Sequence, residues 1–419
     1  MPRTGENFTD KCFFFKEKDG KKFFLAFFFS KIKLRPMFVV GTPVFYLALL
    51  FLGLFLILKK FFKGTLFKVA GINFVVILFL IALFDSVAAM LFNKADPFRV
   101  SDNFYHHGLK AMANEKTSWK SDGLSFYQVY TNSLGFVDEI NREVPLKKSG
   151  KRILILGDSF MEGVGYPWRQ TVPGILSERF KKHGVELLNG AVISYSPKIY
   201  YLKLKHFLEM GLEIDELYVF IDISDIIDEV VYDYFVPKEF SPSAMKWQNL
   251  DNFFIKGSYL YRSTKTDYFA AQINPYHENA PVWGGLGNFY NLKPRWTFEE
   301  SSYKLFGEKG IASAKKHIDL IRQICEERGI RLHIGVWPWE AQALNKNGRM
   351  QYDIWKEYTD KYHIDFISLF DTFESMPPEE LASIFIKNDI HWNDKGNQIV
   401  ADYIWQHIVD NNNQGGKDE

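Results

Sequence analysis

The sequence predicts an α/β fold: a three-layer α/β/α sandwich with a mostly parallel sheet, preceded by N-terminal transmembrane helices. Three observations carry this expectation. From residue 152 to 408, short apolar runs rich in β-branched residues alternate with longer stretches of helical spacing, the pattern of strands joined by crossover helices. The first of those runs, Arg152-Ile153-Leu154-Ile155-Leu156, stops abruptly at Gly157-Asp158-Ser159. Ahead of all this lie two apolar runs long enough to cross a bilayer.

Residues 1–36 are basic and rich in phenylalanine, as in Lys21-Lys22-Phe23-Phe24, and charges interrupt the aromatic clusters too often for a spanning helix. An interfacial or disordered tail is expected there. Phe38 to Leu58 carries no charge, and Val69 to Phe92 carries only Asp85, so residues 37–93 read as an anchor of two transmembrane helices, 38–58 and 69–92. One Asp at a helix centre costs about 2.5–3.5 kcal/mol and less near an end, which places Asp85 toward an interface. A buried helical hairpin is the alternative, but nothing downstream is suited to cover so much apolar surface.

Orientation rests on basic residues. Lys59, Lys60, Lys63 and Lys68 between the spans favour a cytoplasmic loop, which puts the C-terminal domain outside the cytoplasm, in the inner or cytoplasmic membrane. The basic tail argues the other way, and a translation start at Met37 rather than Met1 removes the conflict.

Residues 94–150 are a polar lead-in. Tyr130 to Phe136 alternates and then turns, as an edge hairpin feeding the main sheet would. His106 and His107 read as a solvated juxtamembrane pair. The catalytic-type domain spans 151–410. Its expected elements are a helix over Thr171–Lys182, a strand over Val185–Leu188, a helix over Lys198–Met210 and a strand over Leu217–Ile221. After an irregular aromatic-rich insertion, 230–308, come a helix over Ala312–Arg328, strands Arg331–Val336 and Ile364–Ile367, and a closing helix Gly396–Ile408. Residues 411–419 are expected to be disordered.

Composition narrows the function. A net charge of +1 supplies no global field for nucleic acid. The 40 phenylalanines, many in the first hundred residues, point to lipid. Cys12 and Cys325 lie on opposite sides of the apolar region, so neither a disulfide nor a zinc cluster is expected, and no metal or other cofactor is implied.

A serine at the carboxyl end of a central strand stands where open α/β sheets hold their ligands. Asp389-Ile390-His391 near the C-terminus adds an acid and an imidazole, completing a Ser-His-Asp set. Ser159 is a weak nucleophile until a base takes its proton, and His391 is the candidate base with Asp389 holding its tautomer.

Gly157-Asp158-Ser159-Phe160, Asn189-Gly190-Ala191 after a strand, and the terminal Asp389/His391 pair together resemble the SGNH, or GDSL-type, serine esterases and O-acyltransferases, over roughly residues 100 to 410. The lead-in resembles that of membrane-anchored bacterial members. The resemblance implies an acyl-enzyme on Ser159 and an oxyanion held by the N–H groups of Ser159 and of the residue at Ala191, where the family has glycine. Its third donor is an Asn in Gly-x-Asn-Asp; here the stretch is Asp222-Ile223-Ser224-Asp225, with Ser224 in that place. Losing one such donor costs about 2.7–4 kcal/mol of transition-state stabilisation. The family's usual Asp-x-x-His is shortened here to Asp-x-His, a spacing also found in related acetyltransferases, and Asn388 occupies the older position.

Asp222, Ser224, Asp225 and Asp228 read equally as a capped helix start, without metal-ligand spacing. Trp337 and Trp339, at the end of a strand, are candidates for contacting substrate, with Asn189; Trp283, Trp296 and Trp392 are others. The substrate class is an acyl ester at the membrane or envelope surface. Transfer to a glycan hydroxyl, in concert with a membrane acyl-transfer protein, is the alternative to hydrolysis. An inactive binding protein on the same fold is a second alternative, favoured by Ala191 and Ser224.

Overall fold

The computed structural model describes residues 43–58, 64–92, 98–103, 106–119, 126–235, 250, 253–254, 257–264, 293–344 and 348–415. The basic tail, the lysines at 59, 60 and 63, most of the 230–308 insertion including Trp283, and residues 416–419 lie outside them. The chain divides after Val87 into two compact units.

In the first unit, helix α1 (Pro43–Leu58) is charge-free over its 16 residues. Helix α2 (Thr65–Phe92) contains Val69–Ala89, 21 residues of mean hydropathy 2.4, long and apolar enough to cross a membrane. Where the two helices meet, Phe51 sets its ring edge-on to Phe74, 5.9 Å between centroids. Gly71 admits the Phe55 ring: a Cβ there would stand 1.9 Å from it.

The second unit begins with a small antiparallel pair, β1 (Arg99–Asn103) and β2 (His106–Leu109). Next come β3 (Asn114–Ser118), β4 (Phe126–Thr131) and β5 (Val137–Asp138), then the core strands β6 (Arg152–Leu156), β7 (Glu186–Asn189), β8 (Glu216–Ile221), β9 (Arg331–Val336) and β10 (Asp365–Ser368). The eight-stranded sheet runs β10-β9-β8-β6-β7-β5-β4-β3. Its pairs from β10 through β7 are parallel; β7/β5, β5/β4 and β4/β3 are antiparallel. The lead-in therefore forms the expected edge hairpin and extends the main sheet. Every residue of β6 and of β8 is buried, as strands covered on both faces require.

Strand order fixes the layers. From β6 the chain steps to β7 through α4 (Val172–Lys181). It then passes back over β6 to β8 through α5 (Pro197–Glu209), and on to β9 through α6 (Asp225–Phe235) and α7 (Glu308–Arg328). Right-handed crossovers put α4 on one face and α5, α6 and α7 on the other. The packing agrees: α7 lies against α5 and α6, and α4 against the closing helix α9 (Asp394–Gly415). Helix α8 (Met350–Tyr362) joins the second layer, where Tyr358 donates to Asp319 at 2.8 Å. The direction of winding reverses beside β6, so the crevice at its carboxyl end is the switch point where such sheets bind ligands.

Local chemistry explains the element ends. Thr171 caps α4, accepting from the Gly174 N–H at 3.2 Å, and Gly329 ends α7 in the left-handed region at φ 66°. The larger differences from the sequence expectation lie at the chain end, around the insertion and at His107. Helix α9 runs on to Gly415, into the stretch expected to be disordered. The insertion is flanked by more regular structure than expected, since α6 reaches Phe235 and a π-helical turn, Tyr303–Gly307, leads into α7 at Glu308. His107 is no solvated surface residue: it is half-buried, its Nε2 lies 2.7 Å from the Ile193 carbonyl, and burial pushes it down to about 4.

Candidate active site

Ser159 opens a single helical turn, α3 (Ser159–Glu162), directly after β6. Asp158 caps that turn, accepting the Phe160 N–H at 3.0 Å, and Gly163 closes it at φ 81°, a conformation side chains other than glycine resist. Gly157 lets the turn fold tightly, because a Cβ there would meet Met161 at 2.9 Å.

The partner loop comes from the C-terminus. Asn388 takes a left-handed φ of 62°, and the Ile386 N–H donates to the His391 carbonyl at 2.8 Å, so residues 386–391 form a tight turn. Asp389 Oδ1 accepts both the His391 backbone N–H at 3.0 Å and Nδ1 at 2.5 Å. With its proton held at Nδ1, the imidazole presents Nε2 as an acceptor 2.7 Å from Ser159 Oγ. The shortened Asp-x-His spacing thus works through a two-residue turn, and Asp389 rather than Asn388 holds the ring. Ser159 and His391 are 6% and 4% exposed, so the pair is nearly sealed from water.

The expected oxyanion residues flank the nucleophile, because β7 and β8 are the neighbours of β6. Ala191 and Ser224 follow the carboxyl ends of those strands. Both backbone N–H groups are engaged: Ala191 donates to Asn189 Oδ1 at 3.1 Å, and Ser224 to Asp222 Oδ1 at 2.8 Å. Asn189 spends its amide on the Met161 carbonyl at 2.8 Å, bracing the nucleophile turn against β7, with no atom shown aimed at substrate.

Trp337 and Trp339, expected as candidates for contacting substrate, are both buried beside the site. Trp337 is fully buried, packed on Phe160 and Trp392 with centroids 5.2 Å away in both cases. Trp339 is 3% exposed and donates its indole N–H to Asp222 at 2.7 Å. Trp296 is also buried, donating to the Ile223 carbonyl at 3.0 Å. These rings pack around the nucleophile turn and the aspartates behind it.

Asp158, Asp222 and Asp225 converge behind the serine with carboxylate oxygens within 4.8 Å of one another, the spacing a metal ion needs. All three are buried. Burial first, then the repulsion of the neighbouring aspartates, holds Asp158 and Asp225 well above the ordinary carboxylate range.

Two sets of contacts were invisible in the sequence. Arg99 grips Glu162 with both terminal nitrogens, at 2.9 and 2.5 Å, and Glu162 also accepts the Ile193 N–H at 2.7 Å. Trp119 donates its indole N–H to Asp389 Oδ2 at 2.6 Å and stands edge-on to His391, with centroids 5.1 Å apart. Partners 63 and 270 residues apart leave no spacing signal.

Solved structures of G-D-S-L proteins and esterases match this chain. One is a member of the lipolytic protein G-D-S-L family from Veillonella parvula DSM 2008, 11% identical, covering 61% of this chain and 97% of its own, with a TM-score of 0.34. Another is an acetyl xylan esterase, 13% identical, covering 61% and 98%, with a TM-score of 0.35. A third is the psychrotrophic esterase EstA from Pseudoalteromonas sp., 9% identical, covering 63% and 100%, with a TM-score of 0.35. No family model and no curated protein matches the sequence.

Proposed function

We propose that this chain is a serine-dependent ester hydrolase acting on an acyl ester at a membrane surface. The reading rests above all on the hydrogen-bonded chain Ser159–His391–Asp389, with links of 2.7 and 2.5 Å. In the reaction His391 Nε2 takes the Ser159 proton as Oγ bonds to the ester carbon, and the carbonyl electron pair moves to oxygen. The tetrahedral intermediate collapses, expelling the alcohol, which receives the proton back from Nε2. Water, deprotonated by the same nitrogen, then attacks the acyl-enzyme carbon. The second tetrahedral intermediate collapses with cleavage of the carbon–Oγ bond, Nε2 returns its proton to Ser159 Oγ, and the carboxylic acid departs. Ser159 N–H, Ala191 N–H and the Ser224 hydroxyl serve the oxyanion, and Ala191 must first release Asn189 Oδ1.

The near-sealing of Ser159 and His391 favours a second reading, O-acyl transfer, in which a glycan hydroxyl replaces water and a membrane acyl-transfer protein supplies the acyl group. Excluding water suppresses hydrolysis of an acyl-enzyme.

Fluorophosphonate labelling of the full-length chain in detergent tests the common step. Wild-type protein is expected to label. Ser159→Ala is expected to abolish labelling, and His391→Ala to slow it by roughly 10³-fold or more. A folded wild-type chain that does not label sinks the serine reading.

The apolar Val69–Ala89 helix and the lysines before it support a membrane tether with the α/β unit outside the cytoplasm. Protease added to intact spheroplasts is expected to digest that unit; full protection would overturn the orientation.

A further inference from the structure

The triad acid has two oxygens, and the turn at residues 386–391 engages only one of them. Asp389 Oδ1 holds His391 through its backbone and its ring. Oδ2 receives the indole N–H of Trp119 at 2.6 Å, a short bond of the kind an ionised acceptor makes. An indole N–H can only donate, so its presence on Oδ2 favours the carboxylate over the acid.

Trp119 is well placed to hold that bond. It directly follows β3, which pairs with β4 over its full length from Asn114 to Ser118. Its side chain packs over Gly165, where an added Cβ would stand 3.6 Å from the Trp119 Cβ. The same ring contacts His391 edge-on. One side chain of the lead-in therefore touches both the acid and the base.

We propose that Trp119 is a positioning residue of the serine reaction: its indole N–H fixes the Asp389 carboxylate so that a two-residue Asp-x-His turn can orient His391 toward Ser159. This rests on the serine reading above. Without the indole, Oδ2 loses the donor that fixes the plane of the carboxylate, and a carboxylate that loses an N–H donor holds a proton more tightly.

The test is the rate constant of fluorophosphonate labelling of the full-length chain, measured from about pH 5 to pH 9, which spans the titration of an ordinary histidine. Trp119→Phe keeps the ring and loses the donor. It is expected to label about tenfold more slowly at neutral pH, the loss of a hydrogen bond to a charged group, with the acid limb displaced to higher pH. In an Asp389→Asn background the same change is expected to have little further effect. Trp119→Gln, which retains an N–H donor, is expected to recover part of the rate, and it carries the comparison should Trp119→Phe not fold.

A wild-type chain that labels beside a Trp119→Phe variant with an unchanged pH profile overturns the role of Trp119 and leaves the serine reading intact. An equal loss in the Asp389→Asn background also overturns it, because the tryptophan then acts only on packing. Absence of labelling in wild type is a failure of the serine reading itself.

Discussion

Replacing Arg99 by Met tests whether the lead-in clamps the nucleophile turn. Glu162 is 5% exposed and has three donors, two from the Arg99 guanidinium and one from the Ile193 N–H. The substitution removes two of the three and leaves a nearly buried carboxylate without its counter-charge. Removing one partner of a fully buried pair costs about 3–5 kcal/mol. Arg99 is 20% exposed, so water screens part of the interaction, and about 2–3 kcal/mol is the expected loss. Glu162→Gln removes the charge while keeping an acceptor for Ile193. The double variant is therefore expected to regain roughly 1 kcal/mol over Arg99→Met alone. All ten tryptophans follow residue 118, so urea unfolding watched by tryptophan fluorescence reports on the α/β unit and not on α1 or α2. A loss under about 0.5 kcal/mol, or strictly additive single changes, would refute the clamp.

Two further outcomes concern buried ionisable groups. Asp225 is fully buried, with Oδ2 taking the Tyr200 hydroxyl at 2.8 Å and Oδ1 without a partner among the described residues. Because its folded proton affinity is raised, wild-type stability is greatest below the ordinary value of 3.8 and falls as pH rises through the raised one. Asp225→Asn is expected to stabilise by about 1 kcal/mol at pH 8 and to lose that gain in acid, as urea midpoints across pH can show. Lys203, fully buried with its ammonium 2.6 Å from the Gly190 carbonyl, is pushed down by burial to about 7 from 10.5. The unfolded chain binds the extra proton between those values, so wild-type stability climbs with pH across that window, by on the order of 2 kcal/mol from pH 7 to pH 9. Lys203→Met is expected to flatten that slope; an unchanged slope would show that the lysine stays charged in the fold.

Much of this architecture could be read directly from residue patterns. Arg152–Leu156 and Leu217–Ile221 are continuous apolar runs because parallel strands at the centre of a sheet are covered on both faces, and all but the first residue of β8 was located. Ser159, His391 and Asp389 were legible because each belongs to a short local motif, and the structure brings the three within hydrogen-bonding distance. The choice between Asn388 and Asp389 was harder, since it turns on a left-handed φ at Asn388 that composition permits but does not dictate. Trp337 and Trp339 show the limit of composition: a tryptophan at a strand end suits a cleft or a core equally, and only packing separates the two. Trp119 and the Arg99–Glu162 pair leave no local trace at all, because their partners are fixed by tertiary folding.

Strand β3 is the outermost strand of the eight-stranded sheet. A sheet edge offers unpaired N–H and carbonyl groups to any neighbouring strand. β3 is only five residues long, Asn-Glu-Lys-Thr-Ser, and lacks the apolar outer face that would reward stacking of two copies. Lys116 lies over the Phe126 ring of the adjacent strand, its ammonium 5.3 Å from the centroid, and Glu115 and Lys116 make this short edge strand a charged one. The strand that leads into Trp119 thereby also guards the sheet against edge-to-edge association.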